Sequence, residues 1–445
     1  MKFKELVALV LMLVVCIALT GCQVKEPRSS FDLAPTDELI LYTSSSTDYW
    51  LPALIQQYEE IFGINVTEVR VEGEYLAYSD RLVSDLVAGE GPDVIFVHML
   101  YTDLSRAIQN HSFTDLTDLL EQDESFAREN YVEGVFAPGC VRGRQYTVPL
   151  SFFSPAYLSS QPRLEALGFE WDTSDSMGDF LNRISQLLPF AQLGTSFSQM
   201  MESKNRLLID FLPYSGINLL DYENNVVLLD EEEFRSFCHA YKAYFPCDYD
   251  ESLMSSSGNI GFVKLLVGEF FFWGFSRIDD VIFNASILKT NGGYELSLLP
   301  SQSGETIGMV YEQMAIRANS RNQQNAYNFI RMMLSEEVQS SSVQHSVIQG
   351  LPVHKKAIER LVEESRVKYN PSFPPMYGYL CAQLTEQEAD EIAGKITAVD
   401  RYIQPISGHV FQMMYETMLP FFKDEQSYEV CVDALRSKLT IYLSE

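Results

Sequence analysis

Positive charge is scarce in this 445-residue chain: 32 Lys and Arg stand against 61 Asp and Glu, a formal net charge of −29. Such an acidic surface repels phosphate backbones, which argues against nucleic acid as a partner. Histidine is scarcer. The six residues His98, His111, His239, His345, His354 and His409 show no metal-ligand spacing, and no metal site is expected. Cysteine is sparse too. Beyond Cys16 and Cys22 there remain Cys140, Cys238, Cys247, Cys381 and Cys431, an odd number at irregular intervals, so this is no disulfide scaffold. Cys238 lies on an apolar helical stripe, which suits a buried free thiol at least as well as a bridge to Cys247. The familiar catalytic signatures are missing: no Gly-x-Ser-x-Gly, no His-Glu-x-x-His and no paired-cysteine metal site. A glycosidase needs only two carboxylates at a suitable separation, so an acid-rich chain keeps that class open. No phosphate-binding Gly-x-x-x-x-Gly-Lys-Ser/Thr loop is present, and no cofactor is implied.

What is present begins with Lys2 and Lys4, followed by an apolar run from Leu6 to Leu19. A basic head, a short apolar core and small residues make a secretory signal, since a spanning helix needs about 20 apolar residues. Leu19-Thr20-Gly21-Cys22 resembles the lipobox of bacterial lipoproteins. That resemblance implies cleavage before Cys22, lipidation of its thiol, and an anchor at the outer face of the cytoplasmic membrane. Two acyl chains hold far better than one. Residues 22–36 are polar, carry two prolines, and read as a flexible spacer.

With 46% hydrophobic and 12% aromatic residues, the remainder can bury a large core and calls for two or more domains. "ELILYT", from Glu38, is an apolar strand, and the hydroxyls that follow can cap a helix. Leu51, Leu54, Ile55, Tyr58, Ile61 and Phe62 recur at helical spacing, and Gly63 ends the run. "INVTEVRVEG" is the next strand. A helix over residues 75–88 carries Tyr75, Tyr78, Leu82 and Leu86 on one face, and Pro92 to Val97 is a strand apolar on both sides. Strand-helix-strand-helix-strand predicts a parallel sheet with helices on both faces, with ligand beyond the carboxyl ends of the strands. Ser44 to Trp50 and His98 to Asp103 are the loops placed there.

The order of segments resembles the sugar-type extracellular solute-binding proteins of ABC importers, the maltose-binding protein relatives. "GEGPDVIFV" is similar to the Gly-x-x-Pro-Asp-Val strand of that family, and "HSFTDLTDLLEQD" to the segment after it. "GRQYTVPLSF" resembles its Tyr-x-x-Pro strand, and "SGINLLDYENNVVLLDEEEFRSF" its glycine turn, hairpin and helix. "MAIRANSRNQQNAYNFIRMMLSEEVQ" matches the return strand and the helix ending in Ser-x-Glu-x-Gln, and "GLPVHKKA" the segment beyond. Six such matches fall in the family order. The resemblance implies an α/β fold of two lobes, each a mainly parallel sheet flanked by helices, with a hinge between. It projects residues 1–21 as signal, 37–147 and 301–350 as the first lobe, and 148–300 and 351–445 as the second. It also implies a monomer that binds a small carbohydrate and works with permease subunits and a separate ATPase, without being an enzyme; the alternatives are a lipoprotein that binds a polyol, a short peptide or another nutrient, and a sensor on the same fold.

Sugars present hydroxyls around an apolar C–H face, so a site for them stacks aromatic rings and aims planar polar groups. Candidates at the loop ends are Ser45, Thr47 and Asp48, then Tyr101. Ser151 and Phe152 follow the first expected crossing. "GEFFFWGFSRIDD" resembles a cleft-facing segment of the family and nominates Ser276 and Arg277. Tyr311 and Glu312 stand where the family usually brings a glycine pair to its ligand. Each has a plainer reading: Asp48 as a helix cap, Tyr101 as packing, Arg277 as the partner of a carboxylate. His354 stands where the family has arginine.

Overall fold

The computed structural model describes residues 36–43, 50–72, 75–97, 104–170, 172, 175–185, 212–229, 231–244, 273–274, 277–341, 350–368, 382–404 and 406–444. The expected lipidation site, Cys22, lies outside them, as do Ser45, Thr47, Asp48, Tyr101, Ser276 and Cys247.

Strand β1 (Glu38–Thr43), helix α1 (Leu51–Phe62), β2 (Asn65–Arg70), α2 (Tyr75–Val87) and β3 (Val94–Val97) follow the order the sequence predicts. β1 pairs in parallel with β2 from Glu38 opposite Asn65 to Thr43 opposite Arg70, and Leu41 of β1 faces Val94 of β3. α1 forms because proline in its first turn and a buried stripe of Leu51, Leu54, Ile55 and Tyr58 both suit a helix. Gly63 ends it at φ 66, its N–H bonded to the Glu59 carbonyl. Ile61 and Phe62, the last members of the predicted stripe, are exposed, because the helix has by then run past the edge of the core. Trp50 is buried and meets Phe96 edge-on at 5.6 Å, fixing the start of α1 to the sheet.

Two strands from elsewhere complete this sheet. β14 (Gln313–Ile316) lies antiparallel to β3, and β6 (Val148–Pro149) antiparallel to β14, giving the order β2-β1-β3-β14-β6. One face is covered by α1, α4 (Thr117–Gln122) and α9 (Gln323–Leu334); the other carries Tyr78 and Leu82 of α2 and Ile108 of α3 (Leu104–Gln109). Asp93 explains the Pro-Asp-Val signature. Wholly buried, its carboxylate accepts from Ile40 N at 2.7 Å, Ser320 Oγ at 2.6 Å and Asn322 Nδ2 at 2.7 Å, with the Arg317 guanidinium at 3.4 Å. One side chain thus joins β1, the entry to β3 and the loop before α9.

A second body is built on two further sheets. β8 (Ala156–Ser160) lies between β11 (Trp273–Gly274) and β12 (Tyr294–Leu298), both antiparallel to it. β7 (Ser151–Phe153) and β13 (Ile307–Val310) are the inner pair of the order β15-β7-β13-β16, with β15 (Leu351–Pro352) and β16 (Arg401–Ile403) outside. Phe180 of α6 (Met177–Ser185) packs in one apolar cluster with Phe234, Phe237 and Tyr241 of α7 (Glu231–Tyr244). Met414 and Met418 of α13 (Gly408–Phe422) and Leu435 and Leu439 of α14 (Tyr428–Ser444) complete it. Cys238 is a buried free thiol in this cluster. A third group of helices, α8 (Ile278–Thr290), α11 (Lys355–Lys368) and α12 (Glu386–Thr397), shares its core with the first sheet. A Thr385–Glu388 capping box starts α12, and the same Glu388 accepts from Lys289 at 2.6 Å, tying α12 to α8. The short helices α5 (Gln161–Leu167) and α10 (Glu336–Ser340) follow β8 and α9. Among the described residues no helix is long and apolar enough to cross a membrane.

Candidate ligand-binding site

The two bodies are joined where strands run out of one sheet into another. β6 continues through Leu150 into β7, and β13 continues through Tyr311 and Glu312 into β14. Both runs lie antiparallel throughout: Met314 faces Val148 and Gln313 faces Pro149 in the first sheet, Val310 faces Phe152 and Met309 faces Phe153 in the second. The ladder does not break between them. The Glu312 carbonyl accepts from Leu150 N at 2.7 Å and Ser151 N at 3.3 Å, and Tyr311 N donates to the Ser151 carbonyl at 2.9 Å. A two-stranded ribbon is stiff along its length and bends across it, which suits a hinge. Residues 307–310 belong to the second body's sheet, and the passage itself lies at 311–312.

A third run of chain passes the same point. β15 pairs with β7, Leu351 opposite Phe152 and Pro352 opposite Ser151. Gly350, at φ 94, lets it in: a Cβ there would lie 3.0 Å from both the Phe152 carbonyl oxygen and Ser151 Oγ. Gln339, the glutamine of the Ser-x-Glu-x-Gln segment, is wholly buried and ties the first and third of these runs to α9. Its Nε2 donates to the carbonyls of Leu150 and Met333 at 3.2 and 3.1 Å, and its Oε1 accepts from Val353 N at 2.8 Å. On the other side of the ribbon Gln313 and Gln404 exchange amide hydrogen bonds at 2.6 and 2.9 Å. Thr147 Oγ1 donates to Gln313 Oε1 at 2.7 Å, and Gln404 Nε2 to the Pro138 carbonyl at 2.6 Å.

Four of the residues nominated from sequence meet here. Ser151 is buried, and its Oγ accepts from Glu312 N at 3.3 Å. Phe152 is wholly buried, its ring edge-on to Tyr402 at 5.3 Å. Tyr311 is half-buried and lies against Phe153, ring centroids 4.3 Å apart and planes 38° from parallel. Glu312 is 4% exposed, and burial pushes its carboxyl up from the usual 4.5 to about 8. The fifth, Arg277, stands apart from the ribbon at the start of α8, where Nε and Nη2 grip the two oxygens of Asp279 at 2.8 and 3.0 Å. His354 is buried and edge-on to Tyr131 at 5.2 Å, and desolvation lowers its pKa.

Sequence reasoning passed over Phe153, half-buried beside Phe152, and the pair Gln313 and Gln404. Strand alternation could have found the first, since consecutive residues of β7 point to opposite faces. Nothing local marks the pair, because Gln313 and Gln404 lie 91 residues apart. Among the described residues no group of His, Cys, Asp and Glu could hold a metal ion.

No family model matches the chain, and no curated protein matches it. Solved structures do. The sugar-binding protein MalE from Xanthomonas citri superposes with a TM-score of 0.62 at 14% identity, over 92% of this chain and 97% of that one. The GacH receptor of Streptomyces glaucescens, solved unliganded and with acarbose, gives 0.55 at 16% identity over 92% and 98%. An ABC substrate-binding protein from Listeria monocytogenes in complex with cycloalternan gives 0.55 at 11% identity over 92% and 99%. The chain therefore has the two-lobed α/β fold of the MalE-like solute-binding proteins. The match runs end to end along those chains, so both lobes and the hinge between them are shared.

Proposed function

We propose that this chain is the lipid-anchored substrate-binding component of an ABC importer, a monomer that captures a small carbohydrate between its two lobes. The observation that carries the reading is the unbroken ribbon through Leu150 and Tyr311–Glu312, in a fold shared with proteins solved with acarbose and cycloalternan. Two bodies on such a hinge can close over a ligand without any bond being made or broken. An open form binds with one lobe, and closure adds contacts from the other and shifts the population to closed.

At the floor of the cleft, the Tyr311 and Phe153 rings offer a flat apolar face for the C–H side of a sugar. Ser151 and Glu312 sit beside them, and Arg277, held by Asp279, is assigned to the second lobe's side of the cleft on its place in the sequence. Ser45, Thr47, Asp48 and Tyr101 are assigned to the first lobe's rim and Ser276 to the second's, on their places in the sequence. Cys22 is assigned as the lipidated residue that holds the protein at the outer face of the membrane. The tether raises its effective concentration beside the permease subunits, which a separate ATPase would drive.

The test is a melting-temperature screen of residues 23–445 against oligosaccharides, polyols, amino acids and short peptides. A ligand that binds only the folded state raises the melting temperature by mass action. The reading expects a rise with one class of oligosaccharide and no cleavage product after long incubation. A rise with peptides alone, or recovery of cleaved sugar, contradicts it.

A further inference from the structure

The parallel strands β1, β2 and β3 begin at one end of the first sheet, and the chain enters the sheet there. Asn325 Nδ2 donates to the carbonyls of Thr36 and Glu38 at 2.8 and 2.9 Å, which fixes the entry. α1 finishes at this end because it leads into β2, and α2 because it leads into β3. Asn65 N, at the start of β2, donates to the Asp37 carbonyl at 3.1 Å. The Phe62 ring lies 4.8 Å from that of Tyr58, whose hydroxyl donates to the Asn325 carbonyl at 2.9 Å, so Phe62 stands beside the entry. Just past α2, the Gly89 carbonyl accepts from Asn319 Nδ2 at 2.7 Å, and Asn322 of the same loop accepts from Thr36 Oγ1.

This end leaves large apolar side chains in solvent. Ile61 is 58% exposed, Phe62 38% and Val87 83%, with Val83 one turn back along α2 at 47%. Single exposed apolar residues are ordinary, but a group of them at one end of a body marks a contact surface. Elsewhere Val226, Val367 and Val430 are exposed on separate elements.

We propose that this end of the first lobe is a seat for a lipid bilayer: Ile61, Phe62 and Val87, at the root of the tether from Cys22, enter the boundary between headgroups and acyl chains. The inference rests on the reading of Cys22 as lipidated. Residues 23–35 can reach about 45 Å at full stretch and on the order of 20 Å as a coil. The tether therefore holds its own root close to lipid, and at that effective concentration a few apolar side chains suffice. Asp37, Glu38, Glu60 and Glu90 are exposed at this end against Arg321, so the contact is apolar in origin and favours an uncharged lipid surface. Seated in this way, the sheet directs the carboxyl ends of β1 and β3, where ligand is expected, away from the bilayer and toward incoming solute.

The test anchors residues 23–445 through an N-terminal hexahistidine tag to phosphatidylcholine vesicles containing a nickel-chelating lipid, so the surface is read whether or not Cys22 carries lipid. Phe62→Trp supplies the reporter. Thiol labels are avoided because Cys140, on the hairpin of β4 (Cys140–Val141) and β5 (Arg144–Gln145), is an exposed free cysteine. On vesicles with brominated acyl chains, most of the emission that Phe62→Trp adds over wild type should be lost, with equal pelleting on ordinary vesicles. Adding Ile61→Ser/Val87→Ser, both at exposed positions, should restore it, and equal melting temperatures check the fold. Val226→Trp, on the hairpin of β9 (Leu220–Asp221) and β10 (Val226–Val227), should keep its emission throughout. Phe62→Trp emission unchanged by bromine overturns the seat, as does quenching that requires anionic lipid or is equally strong at Val226→Trp. A second copy is the rival occupant: a concentration-dependent dimer in sedimentation that Ile61→Ser/Val87→Ser abolishes, with no quenching on vesicles, also overturns it. The mass of the Cys22 peptide from the full chain expressed in a bacterium separates the two readings. An unmodified Cys22 with quenching intact refutes the anchor and supports the seat, whereas an acylated Cys22 with no quenching refutes the seat alone.

Discussion

Glu312 is a carboxylic acid buried where the chain passes between the lobes, and its burial has a consequence that pH will expose. Replacing it with glutamine keeps the shape and removes the charge. In the unfolded chain its carboxyl titrates near 4.5, and in the folded protein near 8. Between those values the folded state holds a proton that the unfolded state has lost, so wild-type stability falls as pH rises from 4.5 to 8. Below 4.5 both states are protonated and the group is silent; above 8 the full cost is present. At about 1.4 kcal/mol per unit the interval bounds the effect near 5 kcal/mol, and local relaxation around a new charge brings it to about 2–5 kcal/mol. Glu312→Gln does not titrate and escapes this cost. Thermal melts of both proteins from pH 4 to pH 9 read it directly. The two should melt together near pH 4, and the variant should melt several degrees higher by pH 9. Parallel profiles, or a variant that loses stability relative to wild type as pH rises, would refute the argument.

Other expectations follow from individual contacts. Asp93→Ala strands three donors, two of them buried, and should cost about 3–5 kcal/mol, seen as a large fall in melting temperature, whereas substitution at the exposed Glu90 should cost almost nothing. Gly350→Ala meets both a left-handed backbone and 3.0 Å contacts, and should destabilise by about 1–3 kcal/mol in the same assay. Thr385→Ala removes one half of the capping box of α12 and should cost about 1 kcal/mol by urea titration. Tyr311→Ala should weaken carbohydrate binding about 3- to 10-fold by calorimetry, with the melting temperature of the ligand-free protein little changed.

The first sheet was legible because its signals are local. "ELILYT" is β1 to the residue, and the helix that ends at Gly63 is α1, since a strand run and a glycine stop are read from adjacent residues. The stripe failed only at Ile61 and Phe62, where periodicity continues but the core does not. The family signatures were legible as words before their physics was. Asp93 is the acceptor for two segments more than 50 and 220 residues away, and Gln339 ties together Leu150 and Val353. Periodicity carries no trace of such bonds, because their partners are set by the tertiary fold. The crossing was half legible for the same reason. Tyr311 and Glu312 stand before a return strand, where the sequence places them, while the packing of Phe153 and the Gln313–Gln404 pair needed strand pairings made far along the chain. Arg277 illustrates a choice that sequence left open: a guanidinium beside an apolar strand could read a ligand or grip a carboxylate, and it grips Asp279 two residues on.

The central claim is that two lobes close over a carbohydrate on the ribbon through Leu150 and Tyr311–Glu312. The most direct measurement is small-angle scattering of residues 23–445 with and without a saturating oligosaccharide chosen from the melting screen. The account predicts a smaller radius of gyration with sugar, reversed on dialysis, with the sugar recovered intact. A sugar that binds tightly and leaves the radius of gyration unchanged would contradict it.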